Sequence, residues 1–234
     1  MLRIEHLTKR YGDKEAVSDL NLEIQAGEVY GFIGHNGAGK TTTLKSIAGI
    51  MQFDEGEIYV DDYSVKKETL ACKKIMAYIP DNPDLYEFMT GIEYLNFIGD
   101  IFEIEPSERM ALINDYAEKF EIIGDLAQPI SSYSHGMKQK LAVISALIHK
   151  PKLILMDEPF VGLDPKASFL LKNIMREHCD NGGAIFFSTH VLEVAEKLCD
   201  KVAIIKDGKL IQSGTMEEVK GNESLEEVFL ELEE

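Results

Sequence analysis

The sequence has no tryptophan, three cysteines, and no apolar run near the roughly 20 residues that cross a bilayer. A membrane-spanning helix is therefore not expected. Cys72, Cys179 and Cys199 are odd in number and lack metal-ligand spacing, so they read as reduced packing thiols of a cytoplasmic protein. The first residues enter an alternating strand pattern with no signal-peptide core, which argues against secretion. Basic residues are also scarce. With 24 Lys and Arg against 41 Asp and Glu, the formal charge is -17, the reverse of the basic footprint that nucleic-acid binding needs. A nucleotide remains admissible, because at a Debye length of about 8 Å it responds mainly to the few groups that touch it.

The chain is otherwise ordinary for a folded protein: 45% hydrophobic, 28% charged, without low-complexity tracts or internal repeats. Its 234 residues suit one domain, residues 1–234, with an attached lobe. Strand patterns at 2–7, 20–24, 29–33 and 57–60, punctuated by Gly12, Gly27 and Gly56, predict a small mixed β layer beside a main sheet. From about 85 to 150 the periodicity is helical. Within 107–121, Leu112, Ile113, Tyr116, Ala117 and Phe120 share one face, and a helical subdomain is expected there. Strand and helix then alternate through 153–156, 165–179, 184–188, 191–198 and 201–205, with Asp164 and Pro165 as helix cap and first-turn proline. The fold class is α/β with a mostly parallel sheet and flanking helices. A hairpin at 206–209 and an amphipathic tail helix carrying Leu225, Val228, Phe229 and Leu232 complete the chain.

The strand at 29–33 runs into Gly34, His35, Asn36, Gly37, Ala38, Gly39, Lys40 and Thr41, followed by Thr42. This is the spacing of a Walker A phosphate loop. Glycines let backbone N–H groups turn onto a phosphate, the helix beginning near Gly39 adds its positive end, Lys40 reaches the β and γ oxygens, and Thr41 suits magnesium. The loop alone leaves kinases, GTPases and motors open. A second buried strand ends at Asp157 and Glu158, with Pro159 closing it. Asp157 suits the Mg²⁺ shell and Glu158 a water-polarising base. A third strand ends at His190, and since ligands collect at the carboxyl ends of parallel strands, His190 is a candidate γ-phosphate contact.

Between lobe and acidic strand lies Ser132-Tyr133-Ser134-His135-Gly136-Met137-Lys138-Gln139-Lys140-Leu141. This segment resembles the signature motif of ATP-binding cassette (ABC) ATPases. Gly162-Leu163-Asp164-Pro165 resembles that family's D-loop, and His190 its switch histidine. The resemblance spans essentially the whole chain and implies a P-loop NTPase core with an antiparallel β layer and a helical lobe. It also implies ATP and Mg²⁺ as cofactors, with Ser134, His135 and Gly136 facing the γ-phosphate of a second ABC cassette. Tyr11 matches the family's adenine-stacking aromatic, and Val17 its apolar neighbour. Two departures stand out. Asp81 occupies a position where the family usually has glutamine, and Tyr133, His135 and Met137 replace leucine, glycine and glutamine of the signature. Asp81 is still a plausible metal ligand.

The resemblance implies an ATPase subunit that drives a separate membrane permease. It would sit on the inner face of the membrane, where Leu85, Tyr86, Phe88 and Met89 occupy the permease-docking region. The pattern resembles bacterial exporters of drugs, peptides or lipids. The alternative is a non-transport cassette acting as an ATP-switched clamp on nucleic acid or ribosomes. Such relatives carry coiled-coil insertions, fused cassettes or basic surfaces, none of which is present here.

Overall fold

The computed structural model describes residues 1–233. The chain opens on β1 (Leu2–Tyr11), β2 (Lys14–Ile24) and β3 (Val29–Ile33), then α1 (Lys40–Ile47), β4 (Glu55–Val60), β5 (Tyr63–Ser64), α2 (Thr69–Ile75) and β6 (Met76–Ile79). Helices α3 (Gly91–Ile101), α4 (Pro106–Lys119) and α5 (His135–Leu147) follow. The last part comprises β7 (Leu153–Asp157), α6 (Pro165–Asp180), β8 (Ala184–Thr189), α7 (Leu192–Leu198), β9 (Lys201–Lys206), β10 (Lys209–Thr215), α8 (Met216–Lys220) and α9 (Leu225–Glu233). No helix among the described residues is long and apolar enough to cross a membrane.

These elements form two sheets. The smaller has the order β2-β1-β4-β5 and is antiparallel throughout, as the family resemblance implied, while the mixed layer expected from the strand patterns is corrected on two counts. Its strands all run antiparallel, and 29–33 lies instead at the heart of the larger sheet, order β10-β9-β3-β8-β7-β6. Strand β3 is buried at all five positions, as a central parallel strand must be. The first two strands are also longer than their patterns suggested. Register shifts between Ile4 and Arg10, with His6 and Asp19 at positive φ, break the two-residue alternation on which the sequence reading relied. Helix α2 was not anticipated, because Cys72 is its one buried residue and no apolar stripe marks it.

From β6 to β9 the larger sheet is parallel, so the carboxyl ends of β6, β7, β8 and β3 reach one edge together. Alternate residues serve opposite faces. Tyr30, Phe32, Leu153, Leu155 and Phe186 point into the core shared with α1 and the smaller sheet. Val29, Ile33, Ile154, Met156, Ile185 and Phe187 point into the core built with the helices. Burying each of these side chains contributes about 1.5–3 kcal/mol before the cost of ordering it. Asp164 caps α6 by accepting from Ala167 N at 2.8 Å, and Asp207 and Gly208 turn the β9–β10 hairpin at positive φ. Helix α9 packs through Leu225 and Val228, with Phe229 and Leu232 at its margin. All three cysteines are buried free thiols, and burial pushes Cys179 up to about 12.

Helix α4 buries Ile113 and Ala117, with Phe120 at its C-cap, while Leu112 and Tyr116 flank the core. Arg109 locks α4 to the end of α3. Its guanidinium donates to the carbonyls of Asn96 (3.1 Å) and Ile104 (2.9 Å) and lies 2.7 Å from Asp100. The arginine lies close over Gly99, where an added Cβ would sit 2.3 Å from Arg109 Nε and would displace the guanidinium. Because both carbonyls lose a charged donor, Arg109→Leu is expected to lower the unfolding free energy by about 2–3 kcal/mol. Urea denaturation reads this directly; an unchanged midpoint would show that the lobe is held by apolar packing alone.

Candidate nucleotide site

The loop from Gly34 to Gly39 joins β3 to α1. Gly37 (φ 86°) and Gly39 (φ 112°) take left-handed backbone conformations that favour glycine. Space imposes a second demand, since a Cβ on Gly34 would lie 2.4 Å from the Ile205 carbonyl and one on Gly39 2.4 Å from that of Ala16. Ser18 N donates to Gly208 O at 2.8 Å and Gly208 N to Ala38 O at 2.9 Å, pinning the loop from behind. Gly39 is the N-cap of α1 and offers no side-chain cap, so the amides of the first turn remain available to an anion. Buried Lys40 donates from Nζ to Gly34 O (2.6 Å) and His35 O (3.1 Å) and stands 3.7 Å from Glu158 Oε1. Burial holds its ammonium below the ordinary lysine value, against an opposite pull from Glu158 and Asp157.

Asp157 ends β7 and is only 1% exposed. Thr41 Oγ1 donates to its Oδ2 at 2.6 Å, and Ser188 Oγ donates to Oδ1. The pairing of Asp157 with Ser188 across β7 and β8 makes the second bond possible. Glu158 then turns out of the strand at φ 48°, a left-handed conformation that costs a non-glycine residue about 1 kcal/mol or more and gathers at functional sites. Its N–H is held by Ser188, through O at 3.2 Å and Oγ at 3.1 Å. One carboxylate oxygen, Oε2, lies 3.0 Å from His190 Nδ1. The other, Oε1, is buried without a hydrogen-bond partner and faces Lys40.

These groups line a cavity of about 300 Å³. Asn36, Gly37, Gly39, Lys40, Thr41 and Thr42 form one wall, Asp81, Asp157 and Glu158 another, and Tyr11, Lys14 and Ala16 the rim. Tyr11 is 50% exposed at the end of β1, its hydroxyl 2.8 Å from Met51 Sδ. Val17 requires a correction. It is wholly buried beneath Gly39 and does not line the cavity; Ala16, one residue earlier, takes that place. Gly34, His35 and Ala38 support the loop from outside the lining, and His190 reaches the site through Glu158. Asp81 lines the cavity and accepts from Asn82 N at 2.8 Å.

The structure does not bring Ser134, His135 and Gly136 to this cavity. Ser134 caps α5, accepting from Met137 N at 3.3 Å. Gly136 and His135 pack on Gly162: a Cβ on Gly136 would sit 2.8 Å from Gly162 O, and one on Gly162 2.3 Å from His135 Cδ2. The sequence reading also passed over Ser188 and Tyr78. The signal for Ser188 was a hydroxyl in register with Asp157 on the neighbouring strand, which needs the strand pairing to be known. The buried Tyr78 hydroxyl lacks a hydrogen-bond partner, and burial, with the charges of Asp157 and Asp81, raises it above the ordinary phenol value.

A glycine loop with a buried lysine, opposed by two carboxylates at the ends of parallel strands, defines a P-loop nucleotide-binding protein. The family described as ABC transporter matches residues 17–161. The chain belongs to that family, as an ATP-binding subunit. It is 35% identical over 93% of its length to an uncharacterized ABC transporter ATP-binding protein of Methanocaldococcus jannaschii, covering 79% of that protein. It is 34% identical to the ABC transporter ATP-binding protein NatA of Bacillus subtilis, over 97% of this chain and 95% of NatA. Among solved structures, an ATP-binding subunit of an ABC transporter superposes over the whole of both chains with a TM-score of 0.96 at 32% identity. CbiO1 of Clostridium perfringens, part of the transporter complex cbiONQ, matches with a TM-score of 0.80 at 25% identity, over 99% of this chain and 95% of its own.

Since Ser188 bonds both to Asp157 and to the Glu158 amide, Ser188→Ala should cost about 1–3 kcal/mol in unfolding free energy by leaving buried groups unpaired. Denaturant titration of the nucleotide-free protein measures it; a change under 0.5 kcal/mol would show that the strand end holds its shape without this hydroxyl.

Proposed function

We propose that this subunit binds ATP with magnesium in the 300 Å³ cavity, hydrolyses it, and works in a head-to-tail pair with a second cassette to drive a separate membrane permease. The observation that carries this reading is Glu158 Oε1, a buried carboxylate oxygen with no hydrogen-bond partner, held 3.7 Å from Lys40 at the mouth of an uncapped helix. The donor set fits both ligands. Glycines leave no side chain where phosphate would lie, Lys40 offers an ammonium, and Tyr11 with Ala16 offers a flat and a small apolar surface for a base. Thr41, Asp81 and Asp157 would hold magnesium through hard oxygen ligands, and the ion would neutralise charge on the phosphate oxygens.

Within that frame each residue has a stated part. Loop amides from Asn36 to Thr42 and Lys40 orient the β and γ phosphates. Glu158, freed of other partners at Oε1, accepts a hydrogen bond from the attacking water and draws off its proton charge. His190 fixes the Glu158 carboxylate from the other side and stands ready to donate toward the γ-phosphate. Ser134, His135 and Gly136 serve the nucleotide of the partner cassette, since their own chain keeps them away from its cavity. The chain is read as one cassette, residues 1–234, with a helical subdomain at about 85–150. On that subdomain Tyr86 stacks on Phe88, which is 83% exposed, and these rings are the candidate contact with the permease on the inner membrane face.

Glu158→Gln is expected to reduce ATP turnover by about 10²-fold or more while ATP still assembles a stable dimer, seen by size exclusion. A monomer at saturating ATP in that variant would sink the paired mechanism. Lys40→Ala is expected to abolish nucleotide binding in calorimetry; unchanged affinity would remove the phosphate loop from the account.

A further inference from the structure

The cavity draws its parts from both sheets. Tyr11, Lys14 and Ala16 of the rim belong to β1 and β2 of the smaller sheet, whereas the phosphate loop continues β3 of the larger one. A ligand with a flat base at one end and phosphates at the other must touch both. Its affinity therefore depends on how the two sheets are held relative to each other, since a gap of the wrong length lets only one end bind well.

Gly208, at the tip of the β9–β10 hairpin, sits at that junction. Its N–H donates to the Ala38 carbonyl of the phosphate loop at 2.9 Å, and its own carbonyl accepts from Ser18 N, two residues beyond Ala16, at 2.8 Å. Strand β2 is an edge of the smaller sheet, and this second bond ties it to the larger one. The Ala16 carbonyl is wedged between two glycines: a Cβ on Gly208 would sit 2.8 Å from its oxygen, and one on Gly39 2.4 Å. The three atoms nearest a Cβ on Gly208 all belong to Ala16 and Val17. The hairpin itself is anchored, because β9 pairs with β3 on one side and β10 on the other, and Lys206 Nζ donates to the Leu232 carbonyl of α9 at 3.0 Å.

We infer that Gly208 is a positioning residue that sets the spacing between the base rim and the phosphate loop, so that the cavity takes a nucleoside triphosphate in preference to a bare polyphosphate. This rests on the nucleotide reading above. Gly208 does not line the cavity; it acts through Ala16 and Ser18 on one side and Ala38 on the other. The link is backbone to backbone, so only the absence of a side chain at residue 208 shows in the sequence.

Two variants test this by calorimetry with ATP and with inorganic triphosphate, each with magnesium. Gly208→Ala presses on the Ala16 carbonyl and leaves the bond to Ala38 in place. Ser18→Pro removes the N–H that reaches Gly208, at an edge strand where proline is tolerated. Each is expected to weaken ATP about tenfold, the scale of one lost base–aromatic stack, with triphosphate affinity unchanged within about twofold. A merely structural glycine would lower Tm and leave the ratio of the two affinities as in the wild type. Equal weakening of both ligands, no weakening of ATP, or failure of both variants to fold would each overturn the proposal; if Gly208→Ala alone fails to fold, Ser18→Pro decides. Loss of both ligands in Lys40→Ala tests the underlying nucleotide reading separately.

Discussion

Asp157 is a carboxylate with almost no access to water, and it is tolerable there because two hydroxyls, from Thr41 and Ser188, reach its two oxygens. A buried carboxylate without such partners costs several kcal/mol. The two donors come from different places in the chain, one from the first turn of α1 and one from the end of β8. Both arrive only if β3, β7 and β8 are parallel and in the observed register, with Ile33 opposite Thr189 and Asp157 opposite Ser188. The buried charge therefore makes the site sensitive to sheet register, since slipping a strand by one residue would move its side chains to the other face. Phosphate loop and acidic strand are thus aligned by one hydrogen-bonded cluster.

The same cluster accounts for the backbone of Glu158. Ser188 holds its N–H by both O and Oγ, which fixes the left-handed turn and aims the side chain back across the cavity toward Lys40 and His190. Lys40 would otherwise be an isolated buried ammonium. Its hydrogen bonds to Gly34 O and His35 O keep it folded against the loop, and burial already weakens its hold on the proton. A polyanion entering the cavity would supply the negative charge that burial withholds. Site and ligand therefore each meet a need of the other, which is how a strongly acidic chain can accept an acidic nucleotide.

The parts of this arrangement legible in the sequence were those encoded within a few residues. Glycine spacing after a buried strand gave the loop, consecutive Asp157 and Glu158 before Pro159 gave the acidic strand end, and Asp164 before Pro165 gave a helix cap. What escaped was set by contacts between distant segments. Bulges in β1 and β2 broke the alternation that strand reading relies on. Val17 was aligned with the base-binding rim, but strand pairing sent it under Gly39 and exposed Ala16 instead. The structural role of Ser188 appears only once β8 is known to lie beside β7.

In the proposed pair, the cavity of one chain is completed by its partner. The wall formed by the loop and the wall formed by the strand ends are present, while the helix tip at Ser134 turns toward Gly162 and away from both. A rotation axis relating two copies can supply each cavity with the other's tip, and two-fold symmetry closes both sites at once. Each copy carries a formal charge of -17, so two of them repel at distances where salt does not screen. On the proposed reading, association rests on short-range contacts in which donors on the tip meet a phosphate held by the opposite loop. On the same reading, when that phosphate is cleaved and lost the contacts go with it, and the repulsion that remains favours separation.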